Sequence, residues 1–207
     1  MRDIMVLKSR GPALALLKEL GKSSYVAVST GFWYEWSLAI PASHGFNLAK
    51  KELTLFDEGE VKASTSTWPQ VGRAVAALLS LPVKAEGEDK EKCLENFRNK
   101  HVYVSSFTVS QKEMLDSVLR VTGDKISDWK ITKEPAKGWY AAGIAAMKAG
   151  DRMGFVRMMY TRVYYDDGSG DYEKARGLVN GVLGLPKEDI DEATRAAIQC
   201  SKDVPFG

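Results

Sequence analysis

V-A-V-S-T-G-F-W-Y-E-W-S-L, Val26 to Leu38, is the stretch on which the reading of the fold turns. Val26, Ala27 and Val28 follow one another without alternating with polar residues, the pattern of a strand buried on both faces in a parallel sheet. The strand runs into Thr30-Gly31, and Phe32, Trp33, Tyr34 and Trp36 come directly after it. In open α/β sheets ligands lie beyond the carboxyl ends of strands, so a strand closing on glycine and then aromatics marks a candidate pocket wall. Aromatic side chains also bury large areas in cores, and most of these four read first as core or interface residues.

On the upstream side, Pro12 suits an early helical position, Leu14, Leu17 and Leu20 recur at helical spacing, and Gly21 reads as the stop. A helix feeding a strand through the short Lys22-Ser23-Ser24 link is an α-then-β unit of a parallel α/β sheet. The strand needs neighbours on both edges, and the chain offers few. Downstream, Leu53–Phe56 and Val61–Thr65 around Asp57-Glu58-Gly59-Glu60 read as a hairpin. Thr67 with Gln70, and Ser110 with Glu113, have capping-box spacing before helices striped by Val71, Val75, Leu78 and Leu79, and by Met114, Leu115, Val118 and Leu119. His101–Ser105 and Trp129–Thr132 read as short strands. From Ala136 the chain is mainly helical, with a break at Gly150-Asp151 and a last helix capped by Asp189 and Glu192.

The 207 residues, 44% hydrophobic and 27% charged with a formal net charge of +2, describe an ordinary globular chain able to bury a real core. No Lys/Arg stripe interleaves with aromatics, which argues against nucleic acid, and no apolar run reaches the roughly 18 residues of a membrane span. Cys93 and Cys200 lie far apart, outside any metal or redox spacing, and no signal peptide is visible; free thiols and a cytoplasmic setting are expected. His44, in the loop P-A-S-H-G, and His101, opening a strand, are expected at the surface or an edge, so no metal site is expected.

Asp167, Ser169 and Asp171 alternate as in a calcium loop, but Tyr172 stands where the sharp turn needs glycine and Leu178 where a bidentate glutamate is needed; a mobile surface loop is the better reading. Gly168 and Gly170 begin a G-x-G-x-x-G spacing that Glu173 ends, and no P-loop occurs. No tyrosine is followed four residues later by lysine, and no G-x-S-x-G elbow is present.

Four stretches, Glu19 to Leu38, Thr65 to Leu79, Ser105 to Leu115 and Leu183 to Arg195, resemble the fungal branch of the NmrA-like, isoflavone-reductase-like family of atypical short-chain dehydrogenases. The resemblance implies an α/β fold: the C-terminal part of a Rossmann-like parallel sheet plus a mainly helical substrate domain, with most of the N-terminal dinucleotide-binding portion lacking. Residual Rossmann elements would occupy about 1–40, 66–82 and 98–106, interleaved in a single unit with a substrate-binding region at about 41–65 and 107–207. It also implies NADP(H) as cofactor, Thr30, Gly31 and Phe32 beside the nicotinamide, and Trp33, Tyr34 and Trp36 on the substrate side. Lys8 is the match to the family's catalytic lysine. Desolvation near an apolar wall would lower the pKa of such a lysine and suit it to proton transfer. The expected partners are a small aromatic or unsaturated carbonyl-type substrate, and a second copy of the chain or another protein; nucleic acid and membranes are not expected. The rival expectation is a non-catalytic dinucleotide-sensing regulator or interaction module.

Overall fold

The computed structural model describes residues 10–85, 90 and 92–203. Lys8 lies outside them.

Helix α1, Arg10–Leu20, ends at Gly21, whose φ of +62° is open to glycine without strain, and leads into strand β1, Val26–Ser29. β1 pairs in parallel with β6, Lys100–Tyr103, placing Val26 opposite Lys100 and Ser29 opposite Tyr103. Among the described residues β6 is its sole strand neighbour. The expected burial on both faces is therefore not reached: all four β1 residues are half-buried. One reason lies in helix α3, Trp68–Leu79. Its apolar residues divide, Ala74 and Leu78 entering a core cluster with Phe97, Val102, Val104 and Leu183, while Val75 and Leu79 stay exposed along a groove beside Val26 and Val28.

The expected hairpin at Leu53–Phe56 and Val61–Thr65 does not form. β4, Glu52–Phe56, lies between antiparallel β3, Phe46–Asn47, and parallel β8, Lys130–Glu134, so both its edges are taken. β5, Ala63–Ser66, likewise lies between parallel β2, Phe32–Trp33, and antiparallel β7, Phe107–Val109. Two strands that are each central in their own sheet have no edge left for one another.

Local caps act largely as their spacing predicts. At α4, Gln111–Thr122, the Glu113 amide donates to Ser110 Oγ at 3.2 Å and the Ser110 amide to the Glu113 carboxylate at 2.8 Å, while Gly123 ends the helix at φ +74°. At α3 the box is half made. Thr67 Oγ1 accepts from the Gln70 amide at 3.1 Å, but the Gln70 side chain turns to the Pro186 carbonyl, and Ser106 Oγ accepts from the Thr67 amide instead.

α5, Ala136–Lys148, and α6, Arg152–Thr161, form an antiparallel pair joined at Gly150-Asp151, with Asp151 accepting from the Met153 amide. The helices touch backbone to backbone: a Cβ on Gly143 would lie 2.7 Å from the Met158 nitrogen. The acidic loop after Tyr165 is tethered rather than free, because Gly170 accepts from the Ser64 amide at 2.8 Å and the Tyr172 amide donates to Ser64 Oγ at 2.9 Å, ahead of the short helix α7, Tyr172–Arg176. α8, Ile190–Asp203, starts on Asp189, whose carboxylate accepts from the Asp191 and Glu192 amides.

The main core joins α2, Tyr34–Ala39, to β4, α4 and α8 through Tyr34, Leu38, Leu53, Met114, Val118 and Ala197. Among the described residues no helix is long and apolar enough to cross a membrane, and no cluster of three or more His, Cys, Asp or Glu could hold a metal.

Candidate functional site

β1 stops at Ser29 and β2 begins at Phe32, so Thr30 and Gly31 form the step between two parallel pairings, β1 with β6 and β2 with β5. Gly31 has φ +69°, and a Cβ there would sit 2.2 Å from the Ser64 carbonyl oxygen. A side chain would have to displace the backbone of β5, which explains the glycine by close approach as well as by backbone angle. The step is held by hydroxyls from β5: Ser66 donates to the Thr30 carbonyl at 2.7 Å and Thr65 to the Phe32 carbonyl at 2.5 Å. The Thr30 hydroxyl donates to the Gly31 carbonyl at 3.2 Å.

The aromatics after Gly31 take three different directions. Phe32 turns towards α6 and stacks on Tyr160 with ring centroids 4.0 Å apart. Tyr34 is fully buried in the main core, its hydroxyl sharing a 2.8 Å hydrogen bond with Thr194, and burial pushes its pKa well above the ordinary tyrosine value. Trp33 and Trp36 meet Trp68 at 6.5 and 6.2 Å. Of these, Trp33 is 46% and Trp68 43% exposed, giving an indole surface beside the start of α3. The structure thus brings Trp33 and Trp36 together, and keeps Tyr34 and Phe32 apart from them.

Beneath the indoles lie two carboxylates. Glu35 is buried and accepts from the Trp68 amide through both oxygens at 3.1 Å, so a side chain from α2 caps the amino end of α3. Its pKa is raised, first by burial and also by the nearby Glu188, which outweigh its backbone hydrogen bonds. Glu188 accepts from Thr67 Oγ1 at 2.7 Å, from Arg73 at 2.8 Å and from Ser106 Oγ. Burial works against its charge, but those donors hold its pKa below the usual range. The two groups face one helix end with opposite shifts, that of Glu35 upward and that of Glu188 downward.

A second polar centre lies behind Phe32. His44, expected at the surface, is 1% exposed. Gln111 carries the change: its amide donates to the His44 and Thr54 carbonyls at 2.8 and 2.9 Å and its oxygen accepts from the Phe56 amide at 2.7 Å, pinning the loop inside. His44 Nδ1 lies 2.7 Å from the Tyr164 hydroxyl, and Tyr160 shares a 2.9 Å hydrogen bond with Ser37. Burial lowers the His44 pKa to about 3, so the imidazole is neutral. His101, in contrast, is exposed on β6.

Sequence reasoning missed Glu35, Trp68, Tyr160, Glu188 and His44 as members of these centres. For Glu35 a signal existed, since an acid inside an aromatic run invites the question of what it bonds. For the others the partners lie tens of residues away.

No family model matches the chain. It is 25% identical over 175 residues to oxidoreductase aprR of Aspergillus flavus, covering 84% of this chain and 53% of that protein. It is 24% identical over 179 residues to oxidoreductase poxI of Penicillium oxalicum, covering 85% and 52%. Among solved structures, an NADPH-dependent quinone oxidoreductase of Escherichia coli complexed with NADPH superposes with a TM-score of 0.50 at 15% identity, over 87% of this chain and 56% of that one. The chain therefore has a mixed α/β fold with parallel strand pairs like that of an NADPH-bound reductase and is similar in sequence to fungal oxidoreductases, and it spans about half the length of the curated relatives it matches.

Proposed function

We propose that this chain supplies the nicotinamide-facing strand end and the substrate side of an NAD(P)H-dependent oxidoreductase, with NADP(H) as the cofactor and a small aromatic or unsaturated carbonyl compound as the substrate. The observation that carries the reading is the Thr30-Gly31 step, the carboxyl end of a parallel strand, followed closely by the exposed indole of Trp33, which meets Trp68. Support comes from the similarity to proteins named oxidoreductases. A bound nicotinamide would supply the hydride; the Thr30–Phe32 backbone would border its ring, Trp33 and Trp36 would exclude water, and Lys8 would hold the proton.

The residues fit only the ring end of a dinucleotide. The sequence has no G-x-G-x-x-G cradle, and the amino end of α3, where an anion would be welcomed by the helix dipole, already has the Glu35 carboxylate on the Trp68 amide and the Glu188 carboxylate on the Thr67 hydroxyl. That same observation favours the alternative, a non-catalytic member that senses dinucleotide weakly or binds a protein partner.

Saturation-transfer NMR with NADPH tests the assignment. Contact at the Thr30–Trp33 step transfers magnetisation to the nicotinamide protons more strongly than to the adenine protons. Transfer centred on adenine, or none at millimolar NADPH, sinks the reading. Calorimetry with the same nucleotide is expected to show no tight binding, and a sub-micromolar Kd would overturn the claim that the pyrophosphate site is lacking.

A further inference from the structure

The strand edges of this molecule are protected unequally. β8, at the rim of its sheet, reads K-I-T-K-E and carries three charged side chains. The outer edge of β6 is met by the Val179 amide, which donates to the Tyr103 carbonyl at 2.9 Å. Charged side chains and covering segments are the usual means by which an exposed edge is kept from pairing with another chain. β1, V-A-V-S, has neither among the described residues: it holds no charged residue and no proline, and β6 is its sole strand neighbour.

What that edge offers follows from the pairing on its other side. The carbonyls of Tyr25 and Ser29 accept from the Asn99 and Val104 amides at 2.7 and 3.0 Å, so these residues turn their backbone groups towards β6. Alternation along the strand gives Ala27 the same direction and turns the N–H and C=O of Val26 and Val28 to the other edge. The two valines also line the apolar groove, together with Val75, Leu79 and Val83. Backbone donors and acceptors without a strand partner among the described residues thus lie next to exposed apolar surface.

We propose that this edge is a self-association surface, on which β1 pairs antiparallel with β1 of a second copy about a two-fold axis at Ala27. An axis normal to the sheet keeps each face on its own side, so residues opposite one another must share a face. With Ala27 opposite the partner's Ala27, Val26 stands opposite the partner's Val28, and the outward-facing valines exchange both of their hydrogen bonds. An axis at Val26 would set Val28 against Ser24, and an axis at Val28 would set Val26 against Thr30, residues outside the strand. Alanine suits the axis, where opposed residues of the pair that makes no hydrogen bonds have Cα atoms about 4.5 Å apart. The product is a continuous sheet in the order β6-β1-β1-β6, with the two grooves side by side on one face. A second copy is favoured over a foreign strand because the edge is self-complementary in this register and because the charges at the groove, Lys84, Arg98 and Glu95, are of both signs.

The test uses the intact 207-residue chain carrying Cys200→Ser, which leaves buried Cys93 as the remaining native thiol. Ala27→Cys in that background is expected to form a disulfide-linked dimer under mild oxidation, because a spacing of about 4.5 Å lies within the roughly 4.4–6.8 Å that disulfides span between Cα atoms. His101→Cys, exposed on β6, lies three strand spacings or about 14 Å from its counterpart and is expected to cross-link at least about tenfold more slowly. Val28→Pro removes an N–H that β6 does not use; with far-UV circular dichroism unchanged, it should raise the dimer dissociation constant about tenfold, since a hydrogen bond is lost from each copy. If Val28→Pro fails to fold, the two cysteine variants decide the matter alone. Equal cross-linking of those variants, or a chain that stays monomeric to millimolar concentration, overturns the proposal. So does a monomer whose Val26 and Val28 amides resist hydrogen exchange, because another stretch of the same chain would then hold the edge.

Discussion

His44 ties the interior of this protein to pH in a direction its neighbours do not share. Its pKa falls from 6.5 to about 3 because burial penalises the charged ring, so the unfolded chain takes up a proton over a range where the native state does not. The folded form is therefore at its best above the unfolded value and loses stability as pH falls through 6.5 towards about 3, at about 1.4 kcal/mol per pH unit. Glu35 has the opposite sign: its raised pKa means the native state holds a proton that the unfolded chain has released, so its contribution declines as pH rises above 4.5. Subtracting a His44→Gln variant separates the two, since Glu35 is common to both proteins. Urea unfolding at a series of pH values is expected to show the variant less stable at neutral pH and the two curves converging towards pH 4. Parallel curves would mean that His44 titrates alike in both states.

Among the elements, the α5–α6 pair depends most on a few atoms. A Cβ on Gly154 would lie 2.4 Å from the Met147 nitrogen and 2.7 Å from the Gly143 oxygen, both backbone atoms that cannot swing aside. Gly154→Ala must therefore push the helices apart, at a cost on the order of 2–3 kcal/mol, as overpacking of close-packed interiors does. Gly138, on α5, would meet only the Pro135 side chain at 3.9 Å. Gly138→Ala is expected to stabilise by about 0.5–1 kcal/mol through helix propensity and a less flexible unfolded chain. Urea midpoints of opposite sign for the two alanines check the argument, and a neutral Gly154→Ala would defeat it. This also marks where the sequence was legible. The Ser110–Glu113 box, the Gly123 stop and the Asp151 cap depend on contacts within one turn, and their spacing reports them. The partners of β4 and β5 are chosen by β8 and β7, which lie far along the chain, and hydrophobic alternation carries no information about which edge is free. For the same reason His44 read as a surface residue: Gln111 and Tyr164, which bury it, are separated from it by 67 and 120 positions. In the site, Gly31 was legible because only glycine suits such a step, whereas Trp68 and Glu188 gain meaning only from the capping of α3.

For the whole molecule the governing feature is the exposed apolar groove beside β1. β1 is half-buried, and the groove beside it is bordered by Leu79 at 72% and Val83 at 70% exposure. Among the described residues one edge of β1 has no strand partner, and such an edge with exposed apolar surface beside it is a template for pairing. The groove also carries Lys84, Arg98 and Glu95, charges of both signs, which suit a second copy turned about a two-fold axis better than a strongly acidic or basic partner. The chain is accordingly expected to self-associate reversibly, with sedimentation velocity showing a rise in weight-average mass across a hundredfold increase in concentration. Leu79→Lys together with Val83→Lys should return it to a monomer with little change in Tm, because neither side chain contributes much to the core in a single copy. Association that survives the double substitution would place the contact elsewhere, and a wild-type chain that stays monomeric at every concentration would show that the open β1 side is tolerated as it stands.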